Sequence, residues 1–154
     1  MKILNSFKTL LYRISPLPSE LEHAKGHAAT IKSRIGSSFN LKSFIVVGSH
    51  SRETAIRHYS DVDYFAVLSR DDARWGYGYV SSSTLLNNIR ADLADRFWQT
   101  DIARDGQAVV VNFRGGGYPV DVVPAIFWDM KERKWPIYQI PDGNGGWMVT
   151  SPQL

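Results

Sequence analysis

Apolar residues recur along the chain with two different periods, and the change between them separates helices from strands. Leu21, Ala24, Ala28, Ile31 and Ile35 step by three and four. That spacing predicts a helix whose apolar stripe packs inward while Lys25, Lys32 and Arg34 stay in solvent. Pro18-Ser19-Glu20 opens this helix with an acid in its first turn, and Gly36 is expected to stop it. An earlier amphipathic helix is predicted over residues 2–14, closed by the two prolines of Ser15-Pro16-Leu17-Pro18. Leu86, Ile89, Leu93 and Phe97 predict a third helix, with Ser83 as its cap. Strand signals follow a different rule. Phe44-Ile45-Val46-Val47 is a short buried strand ended by Gly48-Ser49, and residues 62–68 form the next. Residues 69–83 read as a loop of no defined form. Residues 108–113 and 118–126 form a hairpin around Arg114-Gly115-Gly116-Gly117, and 135–140 and 147–150 flank the turn 142–146. Helices first, then a mostly hairpin-connected sheet with one helix inserted, predict an α+β fold.

With 154 residues the chain suffices for one domain with a substantial core. A composition of 44% hydrophobic and 21% charged residues is that of a globular protein, and no apolar run is long enough to span a bilayer. The N-terminal segment is basic and apolar, but no small-residue cleavage site follows it, so it reads as an amphipathic helix rather than a signal peptide. Cysteine is absent, which excludes disulfides, thiolate metal sites and cysteine nucleophiles and fits a cytoplasmic location with no membrane partner. The net charge of +3 suits anionic ligands such as nucleotides. No block of lysine and arginine is dense enough to make a nucleic-acid patch by itself, so a nucleic-acid partner is left open.

Two acids then stand out. Asp61 and Asp63 flank Val62 at the start of a strand; alternation aims both carboxylates one way and Val62 the other, into the core. Two such carboxylates repel unless a cation lies between them, and a hard divalent ion is the simplest resolution. Taken alone, a turn aspartate followed by an edge-strand aspartate is the commoner explanation. Two further stretches change that weighting. Gly48-Ser49 ends a buried strand with backbone and hydroxyl donors that suit a phosphate. Asp121 is a second acid in an otherwise apolar strand, and beside residues 62–68 it would supply a third oxygen ligand, with room for two metals. Asp71, Asp72, Asp92, Asp95, Asp101 and Asp105 lie in polar loops or on helix faces and are read as solvated. Arg52 and Arg57 are either phosphate contacts or solvated surface residues. His58 is a weak candidate for a base, and Trp75, Tyr77 and Tyr79 either stack on a base or, more commonly for loop aromatics, cover a neighbouring core.

Gly48-Ser49, a spacer with Arg52 and Thr54-Ala55-Ile56, then Ser60-Asp61-Val62-Asp63, and later Val120-Asp121-Val122-Val123-Pro124-Ala125 resemble the motifs of the DNA-polymerase-β-like nucleotidyltransferase superfamily. Within it the likeness is greatest to the bacterial cGAS/DncV-like nucleotidyltransferases, or SMODS proteins. Oligoadenylate synthetases and archaeal CCA-adding enzymes look similar at the same motifs. The resemblance implies a nucleotidyltransferase palm, a mixed sheet backed by helices, across residues 1–154, with the family's helical C-terminal domain absent. It assigns Asp61, Asp63 and Asp121 as catalytic, metal-binding residues for two Mg²⁺ or Mn²⁺ ions. Gly48 and Ser49 would cradle the triphosphate, with Arg52 and Ser60 as further nucleotide contacts. The family commonly has a small residue at the position of Glu53 and an aromatic at that of His50.

The activity so implied joins NTPs into a cyclic or linear oligonucleotide second messenger and expels pyrophosphate, in antiphage defence. NTPs are the expected substrates, and a regulatory protein or the helical domain is the expected partner. The alternatives are a template-independent transferase acting on RNA ends, of the CCA-adding kind, and a non-catalytic nucleotidyltransferase-like antitoxin or scaffold.

Overall fold

The computed structural model describes residues 18–47, 62–113 and 119–152. The helix expected over residues 2–14 lies outside them. Helix α1 (Pro18–Ser38) leads into strands β1 (Leu41–Val47) and β2 (Val62–Leu68). A 3₁₀ turn (Arg70–Ala73) and a small hairpin of β3 (Arg74–Trp75) and β4 (Gly78–Tyr79) follow, so residues 69–83 are more ordered than the predicted loop. Helix α2 (Ser82–Arg96) then precedes β5 (Asp101–Asp105), β6 (Ala108–Asn112), β7 (Val120–Lys131), β8 (Trp135–Pro141) and β9 (Trp147–Thr150).

The main sheet runs β1-β2-β7-β6-β5, and β8 and β9 continue it from the far half of β7. Its pairings are antiparallel except that β2 and β7 run parallel. The chain between those two, α2 and the β5–β6 hairpin, makes the crossover that a parallel pair requires. This mixed sheet with two helices on one side fits the α+β expectation.

The helical face is the larger core. Ile31 and Ile35 of α1 and Leu85, Leu86, Ile89 and Leu93 of α2 are fully buried against Tyr64, Ala66 and Leu68 of β2 and Val120 and Val122 of β7. Ala28, Ile31 and Ile35 therefore lie inward as their spacing predicts, with Lys25 and Lys32 exposed. Gly36, in contrast, does not stop the helix, which continues to Ser38. The apolar stripe itself continues to Phe39, which packs on the core, and that contact outweighs the ~1 kcal/mol penalty of a helical glycine.

Arg34 also departs from expectation. Its guanidinium donates to both carboxylate oxygens of Asp92, at 3.1 and 2.8 Å, and the Ser38 hydroxyl donates to the same carboxylate at 2.7 Å. Arg34 and Asp92, both expected in solvent, thus tie α1 to α2 as a half-buried, bidentate pair.

The cap of α2 is Ser81 rather than Ser83. The Ser81 hydroxyl accepts from the Thr84 N–H at 3.1 Å, while Ser83 sits inside the helix and accepts from Arg104 of β5. Ser81→Ala is accordingly expected to remove about 1 kcal/mol of stability and lower the thermal midpoint by about 2–4 °C, read by circular dichroism.

Candidate active site

Alternation along β2 sends Asp63, Phe65 and Val67 to the face opposite the helices, and along β7 it sends Asp121 and Val123 to the same face. Phe65, Val67, Val47 of β1, Ala125 of β7 and Tyr138 and Ile140 of β8 form a second, smaller apolar cluster there. The register decides what the two acids do. Asp63 pairs directly with Asp121 across the parallel β2–β7 ladder, and Val47 pairs with Asp63 on the other side. Continuing outward, Val110 of β6 pairs with Asp121, and Ala103 of β5 with Val110. One row across five strands therefore carries two adjacent carboxylates flanked by small apolar residues. Their backbones are about 4.8 Å apart, a strand spacing.

Both acids are half-buried and open into a cleft of about 390 Å³. Val47, Phe65, Val123 and Ile140 provide apolar lining, while Asp105, Gln107, Ala108 and Pro152 complete the wall. Among the described residues that line it there are three acids and no lysine, arginine or histidine. Burial raises the Tyr138 phenol above its ordinary range, so it stays neutral beneath this face. A second depression, of about 440 Å³, lies between the helices at Thr30, Ser33, Arg34, Ser37, Arg96 and Phe97. It holds no acid pair and belongs to the opposite side of the sheet, so the chemistry is assigned to the first.

The donor set fits a divalent cation. Two convergent carboxylates are hard oxygen ligands of the kind Mg²⁺ and Mn²⁺ take, leaving the remaining positions to water or phosphate. Among the described residues no group of three or more potential metal ligands forms. Asp61, the third expected ligand, lies outside them, as do Gly48, Ser49, Arg52 and Ser60. Of the predicted site, Asp63 and Asp121 are thus brought together.

The sequence reading missed Asp105 and Gln107, and with them strand β5. Asp105, expected in solvent, is exposed, but it stands at the edge of the acidic cleft. The overlooked signal is Asp105-Gly106 between two short runs, a hairpin dipeptide whose Gly106 adopts a positive φ of 57°. Tyr79, by contrast, packs on Trp147 and the core as expected, whereas Tyr77, at the turn between β3 and β4, is fully exposed and covers no core.

Over residues 1–154 the chain matches the family described as Second Messenger Oligonucleotide or Dinucleotide Synthetase domain. It is 29% identical over 123 residues to a cyclic AMP-AMP-AMP synthase of Escherichia coli strain MS 115-1, covering 75% of this chain and 35% of that protein. Among solved structures, it is similar to CdnC in the E. coli MS115-1 CdnC:HORMA-deltaN complex. The TM-score is 0.67 at 21% identity, over 96% of this chain and 46% of that one. The Bradyrhizobium diazoefficiens CD-NTase CdnG, solved with GTP, gives 0.69 at 14% identity, over 91% of this chain and 41% of that one. The chain thus spans between a third and half of the length of these relatives.

Proposed function

Since the chain belongs to the Second Messenger Oligonucleotide or Dinucleotide Synthetase domain family, we propose that it carries the catalytic palm of a nucleotidyltransferase that joins NTPs into a cyclic or linear oligonucleotide. The single observation that carries this reading is the direct pairing of Asp63 with Asp121 at the mouth of the cleft. A ribose hydroxyl oxygen of one nucleotide bonds to the α-phosphorus of another. The α–β phosphoanhydride bond breaks, pyrophosphate leaves with its electron pair, and the hydroxyl proton passes to solvent.

Phosphoryl transfer is mostly positioning and charge neutralisation, and the chain's residues divide that work. Asp61, Asp63 and Asp121 would hold two Mg²⁺ or Mn²⁺ ions, Asp121 on the acceptor side. Bound there, divalent ions neutralise triphosphate charge and ease ionisation of the hydroxyl. Because Asp63 and Asp121 sit on neighbouring strands of a packed sheet, their oxygens are held in position before substrate arrives. Gly48 and Ser49 would donate to the phosphates, with Arg52 and Ser60 as additional contacts. The apolar lining from Val47, Phe65, Val123 and Ile140 keeps water from one side of the reacting groups.

No described helix is long and apolar enough to cross a membrane, and we place the protein in the cytoplasm, in antiviral defence. A relative is found in complex with HORMA-deltaN, and a regulatory protein partner is part of this proposal. Labelled NTPs with Mg²⁺ or Mn²⁺ and no RNA test it. Short oligonucleotides and released pyrophosphate are the expected products. Labelling that begins only when RNA is added would instead make the protein an RNA-end transferase.

A further inference from the structure

Among the described acids of the cleft, Asp105 is the one that the metal chemistry leaves without a task. It pairs with Ala108 on β6, whereas Asp121 pairs with Val110. The two acids are therefore two strands and two residues apart, about 12 Å between backbones at ordinary sheet spacings. Side chains that rise side by side from one sheet face at that spacing do not converge on a single ion with ~2.1 Å ligand bonds, so Asp105 is not placed to share an ion with Asp121. Nor does it serve its own turn. Asp142, in the turn before β9, accepts from the Asn144 and Gly146 N–H groups at 2.7 and 2.9 Å. The Asp105 side chain makes no such bond among the described residues, yet it lines the same cleft as the paired acids.

Between Asp105 and the paired acids lies a cavity in the size range of ligand pockets, with apolar lining suited to a base. Resting on the nucleotidyltransferase reading above, we infer that Asp105 is a specificity-determining residue that selects a guanine nucleotide in this cleft. With its phosphates near Asp63 and Asp121, such a nucleotide directs its base toward the β5–β6 turn.

The preference follows from hydrogen-bond inventory. An ionised carboxylate only accepts. Guanine offers it two adjacent donors, N1–H and the N2 amino group. Adenine offers the N6 amino group beside N1, whose lone pair repels a carboxylate. Gln107 sits on the same wall, and its amide donates to Met148 Sδ at 3.0 Å, a contact that links this turn to β9. The substitution Asp105→Asn would relax the choice, because an amide both donates and accepts and so matches adenine's N6–N1 edge as well as guanine's O6–N1 edge.

The test is equilibrium binding of GTP, ITP and ATP to the protein with Mn²⁺, for the native sequence, Asp105→Asn and Asp121→Asn. GTP is expected to bind about tenfold tighter than ATP, with ITP, which lacks the N2 amino group, in between. Asp105→Asn should bring the GTP and ATP affinities together, with an unchanged thermal midpoint showing that the turn still folds. An unchanged GTP-to-ATP ratio in Asp105→Asn, with binding abolished by Asp121→Asn, would overturn this inference and leave the nucleotidyltransferase reading standing. No metal-dependent binding of any of the three to the native protein would overturn both.

Discussion

Replacing Asp121 with asparagine is expected to lower metal-dependent nucleotide joining by about a thousandfold, a loss of about 4 kcal/mol of transition-state stabilisation. The change is nearly isosteric and keeps the half-buried side chain polar, so the sheet should survive it. What it removes is one of the two charges that face each other across the β2–β7 ladder. Stability should move the other way from activity. Without metal, like charges at facing positions repel, and the variant should melt at the same temperature as the native protein or slightly higher. Adding Mn²⁺ at a hundred times its dissociation constant should stabilise the native protein by about 2.7 kcal/mol and the variant by much less. Turnover and melting curves with and without metal read both effects. Native turnover in Asp121→Asn would dismiss Asp121 as a metal ligand.

Ile89→Ala should have the largest effect on folding, about 2–5 kcal/mol and a midpoint lower by on the order of 10 °C. Ile89 is fully buried in the cluster between α2 and the sheet, on the face away from the cleft. A close-packed interior does not refill the space of the lost atoms, so transfer and cavity terms add. Below its lowered midpoint the variant should still bind Mn²⁺ and GTP with native affinity, because no cleft residue has changed. Isothermal titration beside thermal melts separates the two. A collapse of nucleotide affinity in the folded variant would mean that the helical layer, rather than the strand register, holds the carboxylates in place.

These contrasts show which parts of the molecule were legible in the sequence. Residues 62–68 and the start of β7 announce themselves because apolar neighbours surround an acid that a core strand would otherwise avoid, and their common alternation predicts a shared face. Strand β5 gives no such notice. In Asp101-Ile102-Ala103-Arg104-Asp105 the charged residues outnumber the apolar ones, since an edge strand is buried on little of its surface. The outer half of β7 runs past the predicted end at Ile126 through exposed Asp129, Met130 and Lys131, held by pairing with β8. The end of α1 and the partner of Arg34 were hidden for a related reason. Gly36 is a stop signal only if nothing beyond it packs, and Arg34 is a surface residue only if no second helix brings Asp92 alongside. Local chemistry was readable, but contacts supplied by distant segments were not.

The parallel pairing of β2 with β7 also has a kinetic consequence. Hairpin strands meet early because little chain must be closed between them, whereas β2 and β7 meet only after α2 and the β5–β6 hairpin have been looped out of the way. Asp63 and Asp121 are therefore strangers for much of the folding reaction, and the carboxylate pair proposed to hold a divalent ion is assembled only at the step that closes that long loop. A folding experiment that follows Mn²⁺ capture would time the closure directly. A ribosome-bound chain that has not yet emerged past β7 would carry both described helices and Asp63, but not the Asp121 that faces it.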